Sequence, residues 1–150
     1  MNPIVIARVV AATFVALGLM HVYWALGGRL GAGAAVPTIS STAADGQPRV
    51  FAAFKPTRTA TLGVAAALVF VAVLVGLRAG LTGSAVQHWT IRWIILIVAA
   101  ILFARAIGDL RLVGFFKTVT ATEFAQLNTW LYSPLCMMLA LGLVFVVWRR

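Results

Sequence analysis

The chain has 150 residues, 63% of them hydrophobic and 10% charged, with a mean hydropathy of +1.04. Soluble domains are about 45–50% apolar and about 25% charged, so this composition excludes an ordinary soluble domain and points to an integral membrane protein of one compact unit. The net charge of +9 would suggest nucleic acid in a soluble chain, but in a chain this apolar Lys and Arg flank membrane spans and meet anionic headgroups, so nucleic-acid binding is set aside.

In chain order, Val9–Leu26 is the first charge-free run. With the small-residue tract GAGAA at 31–35 the start resembles a signal peptide, but the run is long enough for an uncleaved first span, a helix over about 4–26. Gly27-Gly28 stops it. The long connection 27–57 carries Pro37, Pro48, Pro56 and the stretch TISSTAADGQP, which reads as an ordered loop or lid. Thr59–Leu77 predicts a second span over about 58–78, punctuated afterwards by Gly80 and Gly83. Both runs match the roughly 20 residues that cross a hydrocarbon core of about 30 Å.

The third span is less regular. Trp93–Ala104, between Arg92 and Arg105, covers only about 18 Å at 1.5 Å per residue. The helix must draw in flanking residues and is expected over about 89–109, with Arg92 snorkelling beside Trp89 and Trp93. Before the fourth span, Thr120-Ala121-Thr122-Glu123 has capping-box spacing. Ser133-Pro134 marks either a second helix start, with Ser133 as N-cap, or a kink. Thr129–Trp148 is the fourth span. The expected fold is an all-α integral membrane protein, a four-helix transmembrane bundle forming one domain over 1–150.

Four spans fix sidedness. One membrane face collects His21, Trp24, Arg58, Arg105, Arg111, Lys117, Tyr132 and all three acids, Asp45, Asp109 and Glu123. Ionisable groups at membrane depth are costly and face a bundle interior or a wet cavity. Asp109 stands one helical turn beyond Arg105, where it can neutralise that arginine. In the sharper reading it orients His21, since histidine titrates near neutral pH and suits acid–base work, while Tyr132 donates a hydrogen bond. Arg58, Arg105, Arg111 and Lys117 suit a phosphate or carboxylate, with Trp24 against the apolar part. Met20-His21 and Cys136-Met137-Met138 offer soft ligands for Cu(I); without an HxxxH or CxxC they are read as packing, and no metal or cofactor is expected. Cys136 stands alone, so no internal disulfide can form. Gly18, Gly63, Gly76 and Gly142 are expected to permit close helix contacts.

The segments MHVYWALGG (20–28), ARAIGDLRLVGFFK (104–117) and LYSPLCMMLAL (131–141) resemble a family of small bacterial four-span membrane proteins designated as a domain of unknown function, DUF3995. Where the family pattern often carries Asp, in the stretch FAQLNTWLYSP, this chain has Asn128. The resemblance implies an integral membrane protein, with the bacterial inner (plasma) membrane as the expected location, and no reaction.

The sequence therefore points to binding, and to possible conversion, of a small amphipathic or anionic lipid-soluble molecule at a polar face of the first, third and fourth spans. Two alternatives stand beside it. One is an accessory subunit whose Arg–Asp cluster only holds the bundle together; the other is a small isomerase-like membrane enzyme using His21 and Asp109. Membrane lipid is an expected partner, and a homo-oligomer or protein partner is left open.

Overall fold

The computed structural model describes residues 2–36, 38–42, 48–108 and 123–148. Helix α1 runs Pro3–Ala25, started by the Asn2 side chain, which accepts from the Ile4 N–H at 2.9 Å, and by Pro3 at the first helical position. It stops at Gly27, whose φ of +96° suits glycine, and the Gly28 N–H closes back on the Tyr23 carbonyl at 2.9 Å. The first loop holds a short helix α2 (Ala32–Ala35) and two antiparallel strands, β1 (Thr38–Thr42) and β2 (Pro48–Ala52), with Thr38 opposite Ala52 and Thr42 opposite Pro48. This hairpin lies where the sequence suggests only a loop. Thr, Ile, Val and Phe in its strands are good strand formers, but they carry too little alternation to be read as such.

Helix α3 (Arg58–Ala79) starts on Thr57, whose hydroxyl accepts from the Ala60 N–H at 3.2 Å. It ends in a Schellman motif: the Leu81 and Gly80 N–H groups bond the Gly76 and Leu77 carbonyls, and Gly80 takes a φ of +69°. Helix α4 (Trp89–Ile107) is capped by His88 and reaches 19 residues by drawing in both flanking arginines, Arg92 and Arg105. At 1.5 Å per residue it is about 28 Å long, enough to cross. Helix α5 (Glu123–Leu127), a π-helical turn (Asn128–Tyr132) and helix α6 (Ser133–Trp148) run on as one rod. Pro3–Ala25, Arg58–Ala79, Trp89–Ile107 and Phe124–Trp148 are long and apolar enough to cross a membrane. The protein is an all-α four-helix membrane bundle, with the small hairpin carried in its first loop.

The π-helical turn settles the Ser133-Pro134 question against a new helix start. Ser133 has helical backbone angles (φ −68°, ψ −44°), and its N–H bonds the Asn128 carbonyl five residues back. Pro134 has no N–H, and its ring crowds the carbonyl four residues earlier; the widened turn just before it relieves that crowding. Ser133 caps nothing: its hydroxyl is fully buried, with no hydrogen-bond partner among the described residues. Thr120, Ala121 and Thr122 of the expected capping pattern lie outside the described residues.

Phe14, Val75, Ile95, Leu143 and Val146 form the fully buried centre, one contribution or more from each long helix. Two of the four interface glycines expected from sequence do lie in close helix contacts. A Cβ on Gly18 would stand 3.0 Å from Val69 across the α1–α3 contact, and one on Gly142 only 2.6 Å from Val10 across α1–α6. Gly63 and Gly76 do not, since a Cβ on either would meet nothing within 4 Å. Met138 is 64% exposed, so it faces outward and not into the core. On the opposite membrane face, Arg78 is buried instead of serving as a simple flank. It donates to the Gln87 carboxamide and to the Val147 carbonyl, the latter at 3.2 Å. That carbonyl is among the last of α6, which a helix leaves without an internal partner, so a cation there is doubly favourable.

Three substitutions test this packing by thermal unfolding of the solubilised protein. Gly142→Val should cost about 1–3 kcal/mol by overpacking against Val10. Gly63→Ala, in open space, should be neutral or stabilising by up to about 1 kcal/mol. Arg78→Met leaves the Gln87 and Val147 acceptors unserved and should cost about 1–3 kcal/mol.

Candidate functional site

The last turns of α1 bring His21 and Trp24 onto one helix face, three residues apart. The first turns of α3 bring Ala60, Thr61 and Val64 to face them. Over this gap lies the first loop, with Gly33 and Ala35 of α2 on one side and Phe54 and Lys55 of the segment leading into α3 on the other. Together they line an open-sided cavity of about 640 Å³, within the range of about 300–1,000 Å³ usual for small-molecule sites. His21 stands four residues from the end of α1 and Thr61 three from the start of α3, so both lie about one turn, roughly 4.5–6 Å, inside the same end of the bundle. A second groove of about 440 Å³ between α4 and α6 is lined only by apolar residues such as Leu96, Phe103 and Leu141, with nothing to orient a polar group.

The polar groups of the cavity have defined partners. The His21 Nδ1 sits 2.8 Å from the Leu17 carbonyl. A carbonyl only accepts, so Nδ1 carries the hydrogen, and in the neutral ring Nε2 is left as an acceptor. The Trp24 ring stands edge-on to the His21 ring at 5.1 Å and donates its N–H to the Leu30 carbonyl at 2.8 Å. This bond folds the loop back over α1. The Thr61 hydroxyl donates to the Thr57 carbonyl at 2.9 Å. Lys55 is exposed at the cavity's mouth.

A second polar cluster lies at the same end of the bundle, between α4 and the π-helical turn. Arg105, half-buried, donates to the Asn128 carboxamide oxygen at 3.2 Å. Asn128 is wholly buried. Tyr132, on the same turn, donates its hydroxyl to the Ala34 carbonyl at 3.0 Å and packs its ring against Phe124. Ala34 lies between Gly33 and Ala35, which line the cavity, so Tyr132 holds the cavity's roof from behind.

The sequence-derived candidates thus separate. His21 and Trp24 meet in the cavity. Arg58 opens α3 as an exposed residue just before the cavity's Ala60 and Thr61. Arg105 and Tyr132 are joined through the π-helical turn, not directly to His21. Asp109, Arg111 and Lys117 lie outside the described residues, as does Asp45. The cavity's walls come from the first and second spans, α1 and α3, whereas the sequence directed attention to the first, third and fourth. Thr61 and the α2 backbone carry no motif that would single them out. Asn128 did carry a signal, as a polar carboxamide at the start of an apolar span.

The model of the family described as a protein of unknown function (DUF3995) matches residues 14–143. No curated protein and no solved structure matches the chain. The matched residues take in the cavity, the first loop, Arg105 and the π-helical turn, and the chain belongs to the DUF3995 family.

Proposed function

We propose that this protein binds a small amphipathic molecule in the cavity between α1 and α3, at the membrane–water boundary. The cavity itself supports this reading most directly: about 640 Å³, apolar along Ala60, Val64 and Phe54, with His21, Thr61 and Lys55 as polar groups. Lys55 is the cation at its mouth and suits an anionic or acceptor-bearing headgroup. Trp24 supplies a flat apolar face beside His21. The bundle crosses as helices, which fits the bacterial plasma membrane, where helical spans are the rule, and not an outer membrane, where barrels are. Catalysis on the bound molecule would fall to His21, the imidazole at the cavity wall, with Asp109 as its proposed orienting group.

The Arg105–Asn128 pair favours a second, structural reading for the other cluster. Arg105 is engaged by a buried carboxamide and the neighbouring Tyr132 by the loop, which suits a clamp between helices better than a ligand grip.

Native mass spectrometry of gently solubilised protein separates the two roles. Wild type should carry a stoichiometric extra mass. Ala60→Trp, which fills the cavity, should lose it, and Lys55→Ala should weaken its retention. Arg105→Ala should keep the mass while lowering thermal stability by about 1–3 kcal/mol. Retention by Ala60→Trp with loss in Arg105→Ala would place the ligand at the Arg105 cluster instead.

A further inference from the structure

The hydrogen-bond pattern of the cavity restricts what can enter it. Its polar side chains are His21, Trp24, Thr61 and Lys55. His21 has its Nδ1 hydrogen on the Leu17 carbonyl, Trp24 its indole N–H on the Leu30 carbonyl, and Thr61 its hydroxyl hydrogen on the Thr57 carbonyl. Each of these three hydrogens is held by the backbone of the protein's own chain. In the neutral imidazole, what remains at His21 is a bare ring nitrogen, Nε2, and at Thr61 the hydroxyl lone pairs. Lys55 is the one side-chain donor left among the described lining residues, and it stands exposed at the mouth. One turn inside the bundle, with His21 neutral, the described lining residues thus present side-chain acceptors and no free side-chain donor.

Resting on the cavity being a ligand site, we infer that its ligand is a hydrogen-bond donor, a lipid-soluble molecule bearing a phenolic or alcoholic hydroxyl, and that His21 Nε2 receives that hydroxyl's hydrogen. The apolar body lies along Ala60 and Val64. An analogue whose hydroxyl is capped leaves His21 Nε2 facing apolar surface without a partner. A site built to pair a hydroxyl rejects the molecule lacking it far more strongly than it senses an extra methylene. A carbonyl or ether in the hydroxyl's place at His21 Nε2 meets acceptor against acceptor. The selectivity is therefore for the reduced or uncapped form of a compound over its oxidised or alkylated form.

The probes are para-octylphenol and its methyl ether, para-octylanisole, titrated into the full-length protein in lipid nanodiscs and followed by isothermal calorimetry. Wild type should bind the phenol about tenfold or more tightly than the ether. His21→Phe keeps the ring's bulk and removes the acceptor, so the two affinities should converge, mainly through loss for the phenol. Comparing the phenol-to-ether ratio between wild type and variant cancels the different partitioning of the probes into lipid. Binding of the ether to His21→Phe also shows that the variant is folded. Thr61→Val is the second variant and should narrow the ratio to a lesser degree. Equal binding of phenol and ether by wild type would overturn the donor assignment while leaving the cavity reading intact. A preference that survives unchanged in His21→Phe would overturn the role of His21. Binding of neither probe, with the cavity-filling Ala60→Trp indistinguishable from wild type in native mass spectrometry, would overturn the cavity reading and this inference with it.

Discussion

Within a hydrocarbon slab, a polar group that finds no partner in its own protein finds none at all. That constraint organises the described part of this molecule. His21 turns back onto the carbonyl one turn below it, Thr61 does the same, and the Trp24 indole reaches across to Leu30. Arg105 takes the Asn128 carboxamide, and Arg78 takes Gln87 and the end of α6. Each of these bonds also fixes geometry. The Trp24 bond sets how the first loop crosses α1, and the Arg78 bonds hold the far ends of α3 and α6 together. Satisfying the polar groups and shaping the bundle are, here, one process.

Packing works within the same limit. Lipid tails are as apolar as leucine, so helices gain by approaching closely enough for dense contact. Gly18 allows this between α1 and α3, and Gly142 between α1 and α6. Helix α1 is therefore pinned on two sides by small residues. The cavity opens at the end of the α1–α3 pair where the larger side chains of His21 and Trp24 replace such close contact. The site is a consequence of where tight packing ceases.

The fold was largely legible. Runs such as Thr59–Leu77 have the length of a span and no charge, and hydropathy alone identifies them. Even the short apolar stretch Trp93–Ala104 could be completed, because α4 had to borrow its flanking arginines to reach across. The site was legible only in pieces. His21 and Trp24 stand out as polar or aromatic groups near a span's end. Their opposite wall does not, since Ala60, Thr61 and Val64 differ in no way from neighbours facing lipid. The hairpin escaped because two five-residue strands carry too little periodicity against a background of turn formers. Gly63 resembles Gly18 in sequence, and only the approach of a second helix tells them apart. The π-helical turn leaves no mark except Pro134, which is equally compatible with a helix start.

The bond from Tyr132 to the Ala34 carbonyl joins two parts of the chain nearly a hundred residues apart. It has a consequence in the time of synthesis. The walls of the cavity, α1 and α3, and the loop above them are all made before the fourth span emerges. Until that span is inserted, the loop is held to α1 by the Trp24–Leu30 bond and lacks the one from Tyr132. The final span is then more than the last piece of the core: its arrival adds a second fastening to a space that the first two spans have already shaped.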